Sequence, residues 1–303
     1  MSGMADTYSY DVVDFSEDKY RRMQAADLHL AINSPTGELT KWVLVEGFLD
    51  RDFFPIMFRK DVRIYIAGRV KDDDPSQKVH GGIKAVYEVV TTILEEGCTT
   101  NIIGIVDRDY VDYRAAGDNA GVDITGHIFM TDYRDLEMTL HTMPSAWSSV
   151  TSLPEYTDAI ITKWEEVIRY LGAIRVANRH CCVYMHFEFS VGNLYDFQTR
   201  TIVPDWQDIA WNKAQKECNM SLKKEMLDIV EEKYHLSGVN LASYTRGHDA
   251  FKLLAIMLND GKYTEQTLLQ KMIDGCSFEE CKTLQLYRNI ANWELTHVEL
   301  LRK

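Results

Sequence analysis

The sequence predicts an α/β fold in which helices cover both faces of a parallel sheet, followed by a mainly helical region. Two observations indicate this fold. Between residues 41 and 142, short continuous apolar runs alternate with segments of helical spacing, as in buried parallel strands joined by crossover helices. From about residue 150 onwards, the apolar residues recur at helical spacing over long segments instead.

The predicted elements follow one another in a regular order. A helix over residues 16–32 ends before the turn sequence NSPTGE. Four strands are then predicted, at 41–47 (KWVLVEG), 62–68 (VRIYIAG), 100–109 (TNIIGIVDRD) and 127–133 (HIFMTDY). Helices are predicted at 49–60, which Pro55 is expected to shorten, at 83–97, and from DLEMTLHTM onwards. The polar segment RVKDDDPSQKVHGG between the second strand and its helix is predicted to be a loop.

This order divides the chain into three predicted regions. They are an N-terminal helical extension (1–40), the sheet domain (41–145) and the mainly helical C-terminal region (146–303). Because crossover connections are right-handed, the carboxyl ends of the parallel strands share one edge of the sheet, where ligands bind in open α/β folds.

Composition and charge exclude several classes of protein. The chain has no apolar run of about 18 residues, and its acidic N-terminus lacks the basic and apolar parts of a signal peptide, so we expect a cytoplasmic protein outside the membrane. The net charge of −13 argues against a general phosphate-binding surface, but it allows a local basic groove beside an acidic metal site. There is no glycine-rich P-loop motif, and the six cysteines contain no CxxC pair, which predicts free thiols.

Acidic residues gather where the predicted strands end. Glu46 ends the first strand, and Asp50 lies one helical turn further on. Asp107 ends the third strand, and Asp109 follows it by two residues, on the same side of an extended segment. Adjacent strands lie only about 5 Å apart, so these side chains are expected to be close neighbours.

A further acidic pair, Asp135 and Glu137, follows the fourth strand. So many carboxylates at one edge must protonate, pair with arginines or bind a metal. An all-oxygen set without histidine or cysteine favours Mg²⁺ or Mn²⁺. Each acid also has a purely structural alternative: Asp50 near a helix N-terminus, Asp135 as an N-cap, and Glu137 as a first-turn acid.

The motifs VEG with Asp50, GIVDRD and DLE, in this order, resemble those of the Toprim domain, a Rossmann-like fold found in primases, type II topoisomerases and overcoming-lysogenization-defect (OLD) nucleases. The second acid at Asp50 and the DLE motif are most similar to the OLD type. The resemblance implies acid/base chemistry or ligation by Glu46, and metal ligation by Asp107, Asp109 and Glu137. We predict a site whose metal ligands are Glu46, Asp50, Asp107, Asp109, Asp135 and Glu137, and whose catalytic residues are Glu46, Asp107, Asp109 and Lys84.

The layout of the whole chain is similar to that of small stand-alone Toprim proteins with a helical C-terminal half, the effectors of PARIS anti-phage systems; a late RGHD sequence (246–249) is part of the match. That resemblance implies a toxic nuclease that cleaves tRNA after release from a separate ABC-type ATPase, acting as a homodimer. A DNA endonuclease of OLD type is one alternative, and a latent binding subunit without activity is another. A phosphotransferase is disfavoured, because its DxD would follow the first strand.

One departure concerns the lysine that OLD nucleases carry after the last acidic motif. No motif places it here, although Lys163, Arg175 and Arg179 are candidates. Lys84, which follows two glycines, is a candidate phosphate contact or simply a solvated lysine in a first helical turn. Asp249 of the RGHD sequence is predicted to cap the helix that follows it.

Overall fold

The structure is a computed structural model. It describes residues 22–23, 25–32, 40–70, 79–80, 82–97, 99–108, 126–181, 191–214, 220–235, 240–258 and 262–303.

Four strands form the body of a parallel sheet, and a two-residue strand extends one edge. In chain order, the strands of the described residues are β1 (Arg22–Met23), β2 (Lys41–Val45), β3 (Val62–Ala67), β4 (Arg69–Val70), β5 (Val79–His80), β6 (Ile102–Val106), β7 (Ile128–Met130), β8 (Tyr195–Asp196) and β9 (Thr201–Ile202). The parallel sheet has the order β1-β3-β2-β6-β7. Its register places Val43 of β2 between Ile64 of β3 and Ile103 of β6.

Helices occupy most of the remaining described chain. They are α1 (Ala25–Ile32), α2 (Phe48–Phe53), α3 (Ile83–Glu95), α4 (Leu136–His141), α5 (Pro144–Thr151), α6 (Asp158–His180), α7 (Trp206–Ala214), α8 (Met220–His235), α9 (Gly247–Leu258), α10 (Glu265–Gly275), α11 (Phe278–Cys281) and α12 (Gln285–Glu294). The α/β architecture and the helical C-terminal region predicted from the sequence are therefore confirmed. The predicted helix at 49–60 is short, because the chain turns into a 3₁₀ helix at Phe54–Ile56, around Pro55.

The sheet is buried on both faces, as its uninterrupted apolar strands predict. Trp42 and Leu44 of β2 pack in one core with residues of α1 and α3. The alternate residues, Val43 and Val45, belong to a larger core that continues through α2 into the C-terminal helices. The side chains of a strand alternate between its faces, so β2 contributes to both cores at once.

Two predicted segments differ in the structure. Within the helix predicted at 16–32, Arg22–Met23 forms the strand β1, and the helix α1 covers Ala25–Ile32. The other difference lies in the segment 69–82, which the sequence predicts to be a loop. β4 and β5 pair there as a short antiparallel ribbon, with Arg69 opposite His80. Such a two-residue ribbon has too little apolar periodicity to stand out in a polar segment. The acidic run at 71–78 lies outside the described residues.

Within the described ranges, none of the helices combines the length with the apolar composition that a bilayer crossing requires.

Gly104 of β6 packs against α3 without room for a side chain. A Cβ atom at this position would lie 2.6 Å from Val86 Cγ1 and 3.2 Å from Val90 Cγ2, both on α3. We expect Gly104→Ala to lower the free energy of unfolding by about 1–3 kcal/mol, because the helix must move away from the strand. Gly126→Ala is the control, since nothing lies within 4 Å of its added methyl group. Urea unfolding measures both variants, and equal stability of the two would contradict this packing.

Candidate functional site

Glu46 and Asp107 are joined directly at the carboxyl edge of the sheet. They follow β2 and β6, which are parallel neighbours. The backbone N–H of Asp107 donates to Glu46 Oε1 at 2.7 Å. The Asp107 carboxylate in turn accepts the N–H of Leu136 at 3.2 Å, which ties it to the first residue of α4. The ends of β2 and β6 therefore meet as predicted, and backbone N–H groups bind the acids that follow them.

Asp50 lies in the first turn of α2, four residues after Glu46. Its Oδ2 accepts the N–H of Gly47 at 2.8 Å, so Asp50 helps to cap its own helix. The same side chain contributes repulsion to the carboxyl group of Asp107. Asp50 therefore has the structural role that the sequence left open, in addition to its place in the acidic cluster.

Asp135 holds the ends of two helices. Its Oδ1 accepts the N–H of Met138 at 3.0 Å, which makes it the N-cap of α4. Its Oδ2 accepts the N–H of Gly247, the first residue of α9, at 2.8 Å. The guanidinium of Arg134 also donates to Oδ2, at 2.7 Å, and both side chains of this ion pair are more than nine-tenths buried.

Gly247 brings α9 against the acidic motif of α4. A Cβ atom on Gly247 would lie 2.6 Å from Asp135 Oδ1 and still closer to Glu137 Cβ. Only glycine allows this approach, so the RGHD sequence packs directly on the acidic cluster. Sequence reasoning matched the RGHD sequence but had no means of predicting this contact.

α9 is capped differently from the prediction. Asp249 is buried in the first turn of α9. Its carboxylate accepts a hydrogen bond from Arg175 Nε of α6 at 2.6 Å instead of capping the helix. The first N–H of α9 is bound by Asp135. Arg246, just before α9, lies 4.0 Å from the far oxygen of Asp249, and its side chain is 41% exposed.

Burial and mutual repulsion raise the pKa values of three of the gathered acids. Burial, followed by the neighbouring carboxylates of Asp50 and Glu46, raises the pKa of Asp107 well above its usual range. Burial and then Asp135 raise the pKa of Glu137 in the same direction. Burial, opposed by the Gly47 hydrogen bond, raises the pKa of Asp50 from 3.8 to about 7.

These acids have the donor chemistry of a hard divalent cation, since all are carboxylates and Arg134 offsets the charge of only one. In the part of the chain that the structure describes, no group of three or more Asp, Glu, His or Cys side chains is already arranged to hold a metal ion. Glu46 and Asp107 instead accept hydrogen bonds from backbone N–H groups. A cation would compete with these N–H groups for the carboxylate oxygens. The predicted ligand Asp109 lies outside the described residues.

The other candidate cations lie in different places. Lys84 is an exposed residue in the first turn of α3, two positions after Gly82. A Cβ atom on Gly82 would lie 3.8 Å from Glu46 Oε2. Lys163 pairs with Glu166 at 2.8 Å and stacks on Trp206, within the helical region. Arg175 is engaged with Asp249, and the side chain of Arg179 lies outside what the structure describes.

No protein-family model, curated protein or solved structure matches the chain.

The raised pKa of Asp50 predicts a pH-dependent stability. Because the folded protein holds this proton more tightly than the unfolded chain, the contribution of Asp50 to stability is full below about pH 4 and falls as the pH rises through about 7. In EDTA, we expect Asp50→Asn to be more stable than the parent by about 1–2 kcal/mol above pH 7, since Asn can still accept the Gly47 N–H. The difference should shrink towards pH 4.

Urea unfolding across this pH range measures the effect. Asp52→Asn is the matched control, because Asp52 is an exposed residue of the same helix that pairs with Arg51. A stability difference for Asp50→Asn that does not change with pH would contradict the raised pKa.

Proposed function

We propose that the chain is a nuclease of Toprim type that depends on Mg²⁺ or Mn²⁺ and resembles AriB, the effector of the PARIS anti-phage system. The observation that carries the proposal is the hydrogen bond from the Asp107 N–H to the Glu46 carboxylate, at the ends of two neighbouring parallel strands. Glu137 lies close enough to add to the repulsion on Asp107. The order of the VEG, DxD and DLE motifs supports it.

Within this proposal, Glu46, Asp107, Asp109 and Glu137 hold the divalent ions. When bound, these ions supply an activated attacking group and neutralise the charge that develops on the phosphate. Glu46 takes the proton of the attacking water. Asp50 and Asp135 keep the helix ends in position, since each already binds backbone N–H groups.

The proposed substrate is tRNA, and the proposed consequence of cleavage is arrest of translation. The resemblance supports this choice, as it supports a separate ABC-type ATPase that holds the effector inactive and a homodimer as the active form. The strongly acidic chain, with a net charge of −13, suits a basic partner surface better than general binding of nucleic acid.

We further propose Arg246 as the side chain that contacts the substrate phosphate. The neighbouring arginines are committed to buried ion pairs: Arg134 with Asp135, and Arg175 with Asp249. Arg246 is different, because its guanidinium is partly exposed and lies 4.0 Å from a carboxylate that Arg175 already binds. The packing of Gly247 on Glu137 keeps its backbone at the acidic edge.

The first test is cleavage of total tRNA and, in parallel, of plasmid DNA, with Mg²⁺, with Mn²⁺ and with EDTA. We expect metal-dependent cleavage of tRNA by the parent and a loss of about 10³-fold or more in Glu46→Gln, because ligand and base are removed together. Glu95→Gln is the matched control, since Glu95 is exposed at the end of α3.

The outcomes separate the alternatives. Cleavage of DNA alone would replace the tRNA proposal with an OLD-type endonuclease. Cleavage that persists at the parental rate in Glu46→Gln would rule out this site. If neither substrate is cut by the free protein, the nuclease proposal fails for the free chain and the latent-subunit alternative gains support.

A second test concerns the cation. We expect Arg246→Ala to lower kcat/KM by about 10- to 100-fold, as for the loss of a charged hydrogen bond, and Arg246→Lys to recover part of it. Lys84→Ala is measured beside it, because Lys84 is the competing candidate. The melting temperature of each variant serves as the folding control. A full effect in Lys84→Ala with none in Arg246→Ala would transfer the phosphate contact to Lys84.

A further inference from the structure

Two cysteines outside the acidic site lie in contact. Cys276 is the C-cap of α10, and Cys281 is the last residue of α11. Their sulfur atoms are 3.7 Å apart, and both thiols are free. A disulfide needs a sulfur–sulfur distance of about 2.05 Å, so a shift of roughly 1.7 Å would join them.

The two thiols have unequal surroundings. Cys276 is partly exposed, whereas Cys281 is fully buried. The hydrogen bond from Cys281 lowers the pKa of Cys276, and the same contact together with burial raises the pKa of Cys281. An accessible thiol with a lowered pKa beside a buried partner is the arrangement of an attacking and a resolving cysteine.

The segment that contains the pair is anchored on α5. The N–H of Ser277 donates to Ser145 Oγ at 2.9 Å. The N–H of Ser145 donates to Glu280 Oε1, also at 2.9 Å, and the Ser145 hydroxyl binds the same carboxylate. Both ends of the α10–α11 turn are therefore held in place, and the two sulfurs stay in contact.

We infer that Cys276 and Cys281 form a reversible dithiol–disulfide pair that is oxidised by hydroperoxides. The Cys276 thiolate attacks one oxygen of hydrogen peroxide, the O–O bond breaks, and a sulfenic acid forms while the leaving hydroxide takes a proton to become water. The Cys281 sulfur then attacks the sulfenic sulfur. The S–S bond forms as the hydroxyl group leaves as water with the Cys281 proton, so two thiols are oxidised and one peroxide is reduced to two waters.

The disulfide would fix the turn between α10 and α11, which the hydrogen bonds of Ser277 and Glu280 hold on Ser145 of α5. That element follows directly on α4, the helix that carries Glu137. The inference does not rest on the proposed nuclease activity, because it depends only on the geometry and the chemistry of the two thiols.

The test treats the full-length protein with hydrogen peroxide and follows each cysteine by peptide mapping. We expect a linked Cys276–Cys281 peptide with the loss of two hydrogens, which dithiothreitol reverses. Cys276 should react about tenfold faster than Cys181, a partly exposed thiol that serves as the internal control. In Cys281→Ser, a sulfenic acid on Cys276 should accumulate and react with a dimedone probe.

Two results would overturn the inference. One is the absence of a Cys276–Cys281 link at peroxide concentrations that oxidise Cys181. The other is reaction of Cys276 no faster than Cys181 in the parent protein. Both readouts come from the parent chain, so they do not depend on whether a variant folds.

Discussion

Repulsion between carboxylates is the constraint on which the rest of the site depends. Because β2, β6 and β7 are parallel neighbours, the acids that follow them meet at one edge of the sheet. The fold offsets part of this charge with backbone N–H groups and with the Arg134 guanidinium. Burial, together with the remaining repulsion, raises the pKa of Asp107 and of Glu137. In the proposed nuclease, a bound cation would replace those protons and would therefore stabilise the folded chain.

Asp135 connects this constraint to the C-terminal region. A carboxylate has about four positions at which it can accept hydrogen bonds, and Asp135 uses three, for Met138, Arg134 and Gly247. Its negative charge lies at the N-termini of α4 and α9, where the helix dipoles favour it. Removing the Asp135 carboxylate would leave buried N–H groups and a buried guanidinium without their acceptor, and this would lower the free energy of unfolding. The acidic edge and the helical region therefore form one connected arrangement.

The sequence predicts the sheet well, because continuous apolar strands that alternate with helices admit few arrangements. It also predicts that the acids meet, since strand ends share an edge. It does not reveal which acid caps a helix: Asp135 bonds Gly247 across 112 positions, and no local spacing records such a contact. The same limit applies to Asp249, whose neighbours favour a cap but whose partner is Arg175 of α6. The contact between Cys276 and Cys281 depends on how α11 turns back on α10, which a spacing of five does not specify.

The carboxylates at the edge consequently divide into two kinds. Asp135, and to a lesser degree Asp50, are held by N–H groups that have no other acceptor in their helices, so drawing their oxygens towards a cation would break caps. In the second kind, Glu46 Oε1 accepts the N–H of Asp107, and Asp107 Oδ1 accepts the N–H of Leu136, the first residue of α4. Glu137 lies in the first turn of α4. In the proposed nuclease, a divalent ion would bind this second kind, and the caps made by Asp135 and Asp50 would stay intact. The distribution of hydrogen bonds thus separates the proposed ligands from the acids that support helix ends, in a cluster whose members look equivalent in the sequence.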